Sequence, residues 1–225
     1  MRVVRGGKDT PDADRAVTTA LLDRVERDGE TQLRVWTPPT QVAFGRRDTA
    51  AADYDRAREA ARRRGYEPVE RTVGGRAVAH TGTTLAFAYA ATAEQSIQTR
   101  YRDVTELLER TLRSLDVTVD RGEPDAAFCP GAHSLQHDGK LVGLAQRVRQ
   151  DAALVAGYVV VRRADEAAIA DVLTPVYRKL AVPFEPQSVG SVESAGGPGD
   201  PNCVADAIES VFVSGREHTV VDLEA

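Results

Sequence analysis

Lysine is nearly absent from this chain. Lys8, Lys140 and Lys179 stand against 26 arginines, the 29 basic residues less three. Lys140 falls inside Phe128-Cys129-Pro130-Gly131 … Asp138-Gly139-Lys140-Leu141-Val142-Gly143-Leu144-Ala145-Gln146, just after one of only two cysteines. A lysine ammonium is a compact, tunable point charge, whereas arginine stays protonated. A cysteine becomes a nucleophile when a nearby cation favours its thiolate. Cys129 and Lys140 are therefore a candidate pair for covalent catalysis at sulfur. The plainer alternative is a buried cysteine, as most free cysteines are, with a solvent-facing lysine on a hairpin. The turn-like Phe-Cys-Pro-Gly segment places Cys129 at a strand end, where a pocket can reach it.

A second constellation is Arg71-Thr72-Val73-Gly74-Gly75-Arg76-Ala77-Val78-Ala79-His80. Paired glycines let the backbone turn tightly and approach a ligand without Cβ clashes. Arg71 and Arg76 flank them and could hold a carboxylate or phosphate; the plain reading is a Gly-Gly turn with solvated arginines. The four histidines are dispersed. His133 and His137 are four apart but lie in a strand–turn stretch without the acidic third ligand of an HExxH helix, so no metal site is expected. Cys203, at the start of a helix, reads as an incidental thiol. There is no GxxxxGK[ST] loop and no GxSxG elbow.

The elements that must position these groups follow from periodicity and breakers. Pro11 to Asp28 reads as a helix stopped by Gly29 and capped by Asp12 or Asp14. Thr31 to Trp36 and Gln41 to Phe44 alternate as strands joined by a Pro38-Pro39 turn. A short helix over Tyr54 to Arg64 ends at Gly65. Pro68 to Val73 and Arg76 to His80 are strands around Gly74-Gly75, and Thr83 to Ala90 is another. Ile97 to Leu115 is the clearest helix, with Val104, Leu108 and Leu112 on one face. A short strand is expected at Val117 to Val119. Lys140 to Arg149 and Ala152 to Val161 pair as a hairpin. A helix over Asp165 to Leu180 should break or kink at Pro175. Ser188 to Pro201 reads as a surface loop, and Asn202 to Val211 as a last helix. Adjacent strands interrupted by helices favour a mixed or antiparallel sheet in one α+β domain spanning 1–225.

The composition excludes several classes. No apolar run reaches the roughly 18 residues of a membrane span, and the N-terminus lacks a signal-peptide core, so a cytoplasmic protein with no membrane partner is expected. A formal charge of −5 argues against a general nucleic-acid binder. Two distant cysteines make no disulfide framework.

The two motifs together resemble the biotin/lipoate protein ligase superfamily, in its lipoate-protein ligase A and octanoyltransferase branches. Arg71, Gly74, Gly75, Ala77, Val78 and His80 match the family's Arg-x-x-Gly-Gly-x-Ala-Val-x-His pattern. Asp138 to Gln146 match its Asp-Gly-Lys-x-x-Gly-x-Ala-Gln pattern, which implies that Lys140 contacts the acyl carbonyl and that Gly143 and Ala145 lie at the substrate. Gly45-Arg46 resembles an early family turn, and Phe-Cys-Pro-Gly resembles the cysteine-dependent lipoyl-domain amidotransferase branch. The resemblance covers roughly residues 10 to 210. Ligases of the family often carry a third glycine where this chain has Arg76, and many members have His-Gly where it has Ala156-Gly157.

The resemblance implies an α+β domain of the ligase catalytic type and an acyltransferase of protein lipoylation. Cys129 would carry an octanoyl or lipoyl group as a thioester, with Lys140 stabilising the oxyanion. Arg71, Gly74, Gly75, Arg76, Ala77, Val78, His80, Gly143 and Ala145 would line the substrate site, with Leu85 and Leu144 on the tunnel wall. Partners would be lipoyl-domain proteins: the glycine-cleavage H protein and the acyltransferase subunits of 2-oxoacid dehydrogenases. No tightly bound cofactor is implied. Two alternatives remain: an ATP- and Mg-dependent lipoate-protein ligase that needs a separate accessory chain, and a non-catalytic acyl-binding protein.

Overall fold

Caps and hydrophobic alternation divide this chain into short strands and six helices among the residues that the computed structural model describes, 1–71 and 74–223. In chain order these are β1 (Arg2–Arg5), α1 (Pro11–Asp28), β2 (Gln32–Trp36), β3 (Gln41–Phe44), α2 (Arg46–Thr49), α3 (Tyr54–Arg62), β4 (Glu67–Glu70), β5 (Val78–His80), β6 (Leu85–Thr92) and α4 (Ile97–Ser114). There follow β7 (Asp120–Arg121), β8 (Leu135–Gln136), β9 (Lys140–Val148), β10 (Ala152–Val159), α5 (Arg163–Lys179), α6 (Pro201–Val213) and β11 (Thr219–Asp222). The strand expected over Pro68 to Val73 ends outside the described residues.

The large sheet has the order β11-β1-β2-β6-β10-β9-β8-β7, and the small one β4-β3-β5. Both are mixed: β1 runs parallel to β2 and β11, whereas β6, β10 and β9 are antiparallel. The chain is thus α+β with a mixed sheet, as its pattern of runs predicts.

Alternation sends the two faces of the large sheet to different partners. On β6, Phe87 and Tyr89 meet Phe212 of α6, and on β10 Val155 and Val159 join them in a core with Val104, Leu108 and Leu112 of α4. The opposite face of the same strands presents Ala88, Ala90 and Leu154 to Leu21, Leu22 and Val25 of α1. A separate core under the small sheet joins Phe44, Val78, Phe128 and Tyr158 to Val172, Leu173 and Tyr177 of α5.

Several local expectations change. Helix α1 is capped by Thr10, whose Oγ1 accepts the Ala13 N–H at 3.3 Å, not by Asp12 or Asp14. Asp14 is instead buried, because Arg34 Nη2 and Trp36 Nε1 each donate to its carboxylate at 2.5 Å. Helix α5 runs unbroken through Pro175, which is buried. No strand forms at Val117 to Val119; Val117 faces the main core and pairing begins at Asp120. The Ser188–Pro201 stretch is no surface loop at its start. Val192 and Glu193 donate their N–H groups to Val160 and Val161 at 3.0 and 2.9 Å, and Val192 is fully buried.

The Asp14–Arg34 pair fixes α1 to β2. Arg34 has no exposed surface, and its guanidinium also donates to the Gly6 and Asp14 carbonyls and to Thr18 Oγ1. Removing one partner of such a pair strands the other charge, at a cost of about 3–5 kcal/mol. Asp14→Ala should lower the unfolding free energy by that amount in urea titration; a loss under about 1 kcal/mol would show that the pair is not a structural tie.

Candidate active site

The small residues on one face of the central strands leave a hollow. Ala145 and Ala156 stand opposite one another on β9 and β10, Ala86 joins them from β6, and side chains this small leave space that core packing would otherwise fill. A cavity of about 160 Å³ results between the two sheets and α1. It compares with a 150 Å³ engineered apolar cavity that admits benzene. Its wall is largely apolar, and one end carries Cys129, Arg71 and Tyr158, while Asp14, Thr18 and Trp36 contribute elsewhere.

Cys129 has a left-handed backbone, φ 45°, a conformation that costs a residue with a Cβ roughly 1–3 kcal/mol. Its surroundings hold it there. The Cys129 N–H donates to Tyr177 Oη at 2.5 Å, and Tyr177 Oη donates in turn to the Ala77 carbonyl at 3.0 Å. Lys140 Nζ donates to the carbonyls of Cys129 at 2.8 Å and Phe128 at 3.1 Å, and to Glu123 Oε2 at 2.9 Å. Glu123 also accepts the Gly131 N–H and the Ser134 hydroxyl, tying the far side of the same loop.

The sulfur receives a hydrogen bond from Arg71 Nη2 at 3.0 Å, and the same nitrogen donates to the Arg76 carbonyl at 2.6 Å. The contact sets a charged hydrogen-bond donor against the sulfur. Gly75, at φ 97°, is the residue that permits this approach: a Cβ there would lie 2.7 Å from the Cys129 sulfur and 2.3 Å from Arg71 Nη2. Gly45 lies just as close to the turn, since a Cβ on it would overlap the Gly75 carbonyl.

Of the residues singled out from sequence, Cys129, Arg71, Val78, His80, Gly143, Leu144 and Ala145 share the cavity wall. Gly74, Gly75, Arg76 and Ala77 form the turn behind it. Arg76 is directed to the buried Asp48, at 3.1 Å, and Ala77 anchors Tyr177. Leu85 belongs to the main core rather than to the tunnel wall. Lys140 is fully buried beneath the Cys129 loop, and its three donors face three protein oxygens instead of the cavity. A ground-state contact from its ammonium to an acyl carbonyl would have to displace one of them.

Glu123, Tyr158 and Tyr177 were not marked by the sequence. Tyr158 and Tyr177 occupy ordinary apolar positions of a strand and a helix, and Glu123 lies in an irregular stretch with no periodic signal. Burial, and then the proximity of Cys129, pushes both phenols well above their usual range, so both keep their protons. His133 stacks on Tyr101 at 3.9 Å and His137 Nδ1 meets the Thr118 carbonyl; among the described residues no group of three His, Cys, Asp or Glu could hold a metal ion. No helix among them is long and apolar enough to cross a membrane.

A cysteine and a buried lysine thus meet in one loop at the end of an apolar cavity, in an α+β fold. Residues 11–212 match the Lipoyl protein ligase A/B catalytic domain, and the chain belongs to that family. An octanoyltransferase LipM of Kyrpidia tusciae is 28% identical over 94% of this chain and 85% of its own length. A crystal structure of lipoate-protein ligase A bound with ATP superposes over 100% of this chain and 90% of its own, with a TM-score of 0.76 and 19% identity. The bi-partite lipoate protein ligase of Thermoplasma acidophilum gives 0.72 and 15% identity, over 99% of this chain and 87% of its own. These two likenesses establish the fold.

His80 makes the site pH-sensitive only in acid. Burial, helped by the Arg71 charge, pushes its imidazole down from 6.5 to about 4. Between those values the unfolded chain binds a proton that the native state does not, so stability falls as pH drops from about 6.5 to about 4, by about 3 kcal/mol in total. His80→Gln should flatten this loss, read as the denaturant midpoint at pH 7 and pH 4.5; an unchanged acid slope would assign it to other groups.

Proposed function

We propose that this chain is a cysteine-dependent acyltransferase of protein lipoylation. Cys129 takes an octanoyl or lipoyl group from a donor protein and passes it to a lysine of a lipoyl domain. The observation that carries the reading is the Cys129 sulfur itself, presented on the wall of an apolar cavity with a guanidinium nitrogen 3.0 Å away. The octanoyltransferase LipM relative supports octanoyl transfer as the reaction class.

In the first half-reaction the thiolate attacks the acyl carbonyl of the donor, forming a C–S bond and expelling the donor's thiol or amine, which takes up the proton that Cys129 lost. In the second, the neutral lysine of the acceptor attacks the thioester, forms the amide and returns the proton to sulfur. This is a ping-pong scheme that needs no tightly bound cofactor. The acyl tail lies along Leu144, Ala145, Ala156 and Leu154. Acceptors would be lipoyl-domain proteins such as the glycine-cleavage H protein and the acyltransferase subunits of 2-oxoacid dehydrogenases, with Arg15 and Arg147 at the cavity to meet their acidic surfaces. Lys140 acts by position: it fixes the loop that aims the sulfur.

Incubation with octanoyl-loaded lipoyl domain should add one octanoyl mass to the intact chain. Cys129→Ser should prevent sulfur acylation and transfer, whereas Cys203→Ala, exposed on α6, should transfer at the wild-type rate. ATP-dependent lipoylation with full activity in Cys129→Ser would replace this scheme with that of a ligase, and lipoate binding with neither reaction would leave an acyl-binding protein.

Lys140→Ala frees the Phe128 and Cys129 carbonyls and strands Glu123. It should reduce transfer by about 10²-fold, as a misplacement of the reacting group by about 1 Å can, and cost about 3 kcal/mol of stability. A variant as stable as wild type would show that the ammonium does not hold the loop.

A further inference from the structure

Few buried polar atoms among the described residues lack a hydrogen-bond partner, and two of them, Tyr158 Oη and Arg71 Nε, belong to side chains on the wall of the Cys129 cavity. Tyr158 is only 4% exposed. A buried hydroxyl without a partner is costly in an apolar wall, and a phenylalanine would avoid that cost.

The placement of the ring is specific. Tyr158 lies opposite Gly143 in the β9–β10 register. Its ring crosses over that glycine, for a Cβ on Gly143 would stand 2.6 Å from both Tyr158 Cε1 and Oη. Gly143 is therefore the residue that lets the hydroxyl reach its position. Phe128, next to Cys129 in the chain, backs the same ring with centroids 5.2 Å apart. Tyr158 and Cys129 line the same cavity, and burial pushes the phenol well above its usual range. The phenol thus stays a neutral donor beside the nucleophile.

Resting on the acyl-transfer reading above, we infer that Tyr158 Oη–H donates a hydrogen bond to the carbonyl oxygen of the acyl group under attack at Cys129, beside the Arg71 guanidinium. Attack by sulfur forms the C–S bond and moves the carbonyl π pair onto oxygen. Tyr158 steadies that negative charge and keeps its own proton. Collapse restores the C=O bond and breaks the bond to the donor's nitrogen or sulfur, which leaves with the proton released by the thiol. A preorganised donor in a water-poor site is worth more than the same group in water. Gly143, inside the Asp138 to Gln146 motif, thereby acquires a physical reason.

The test is Tyr158→Phe, with octanoyl-loaded lipoyl domain as the probe. The rate of octanoyl addition to Cys129, followed by intact mass, should fall about 10²-fold, with kcat reduced and KM within a few-fold of wild type. The melting temperature should stay the same or rise, because an unpartnered hydroxyl is removed while the ring remains. Acylation of the variant at the wild-type rate overturns this inference alone. So does a loss of activity that tracks a lowered melting temperature, since the hydroxyl would then serve the fold. Absence of an adduct on the wild-type chain overturns the thioester scheme, and this inference with it.

Discussion

Lys140 Nζ holds three oxygens at once, the carbonyls of Phe128 and Cys129 and one oxygen of Glu123, with no exposed surface of its own. The geometry of the nucleophile depends on that grip. Left to itself, a cysteine avoids the left-handed region at a cost of about 1–3 kcal/mol. Charge-assisted hydrogen bonds contribute roughly 1.5–3 kcal/mol each, so the two to the adjoining carbonyls are of the size of the strain they hold. Tyr177 closes the other side by accepting the Cys129 N–H. The loop is thereby held between β9 and α5, two elements far apart in sequence, and the sulfur is aimed before any substrate arrives.

The cavity beneath it arises from what the strands omit. Large residues of β6 and β10 point to α4 and α6 and make the main core. On the reverse face Ala88, Ala90 and Leu154 pack against Leu21, Leu22 and Val25 of α1, and the hollow opens beside them at Ala86, Ala145, Ala156 and Gly157. Toward its first turns that helix is held by a polar tie as well, Asp14 with Arg34 and Trp36. The same economy appears at Gly143, where the absence of a side chain admits the Tyr158 ring.

Much of this was legible in the sequence because it is local. The long helices, the β9–β10 hairpin and the mixed sheet follow from periodicity and from Gly29, Pro11 and the hairpin turn. Residue type and spacing pick out Cys129 and Arg71, and the family resemblance adds His80 and Gly143. What escaped was nonlocal. Strands β1 and β11 are four residues each and pair across the whole length of the chain, so neither carries a pattern long enough to read. Asp14 resembled a cap until Arg34, twenty residues on, claimed it. Glu123 and Tyr177 acquire meaning only when the fold brings them to the Cys129 loop. The spacing of Cys129 and Lys140 showed that they belong together but not which atoms meet: the ammonium reaches the backbone of the cysteine, and Arg71 reaches its sulfur.

Why a chain with so many arginines keeps a lysine at position 140 now has a geometric answer. Arg34 and Lys140 are both buried without exposed surface. The acceptors of Arg34, at Gly6, Asp14 and Thr18, are spread around a plane, which suits a guanidinium fork. The acceptors of Lys140 converge on one point, which suits the three tetrahedral donors of an ammonium. An arginine there would push its planar head past the carbonyls it must hold, and the Phe128 ring, 5.6 Å from Nζ, closes off room on one side. Each cation is therefore matched to the shape of its acceptors rather than to the sign of its surroundings alone. The rarity of lysine elsewhere leaves this one as the visible trace of a site where charge has to be concentrated at a point.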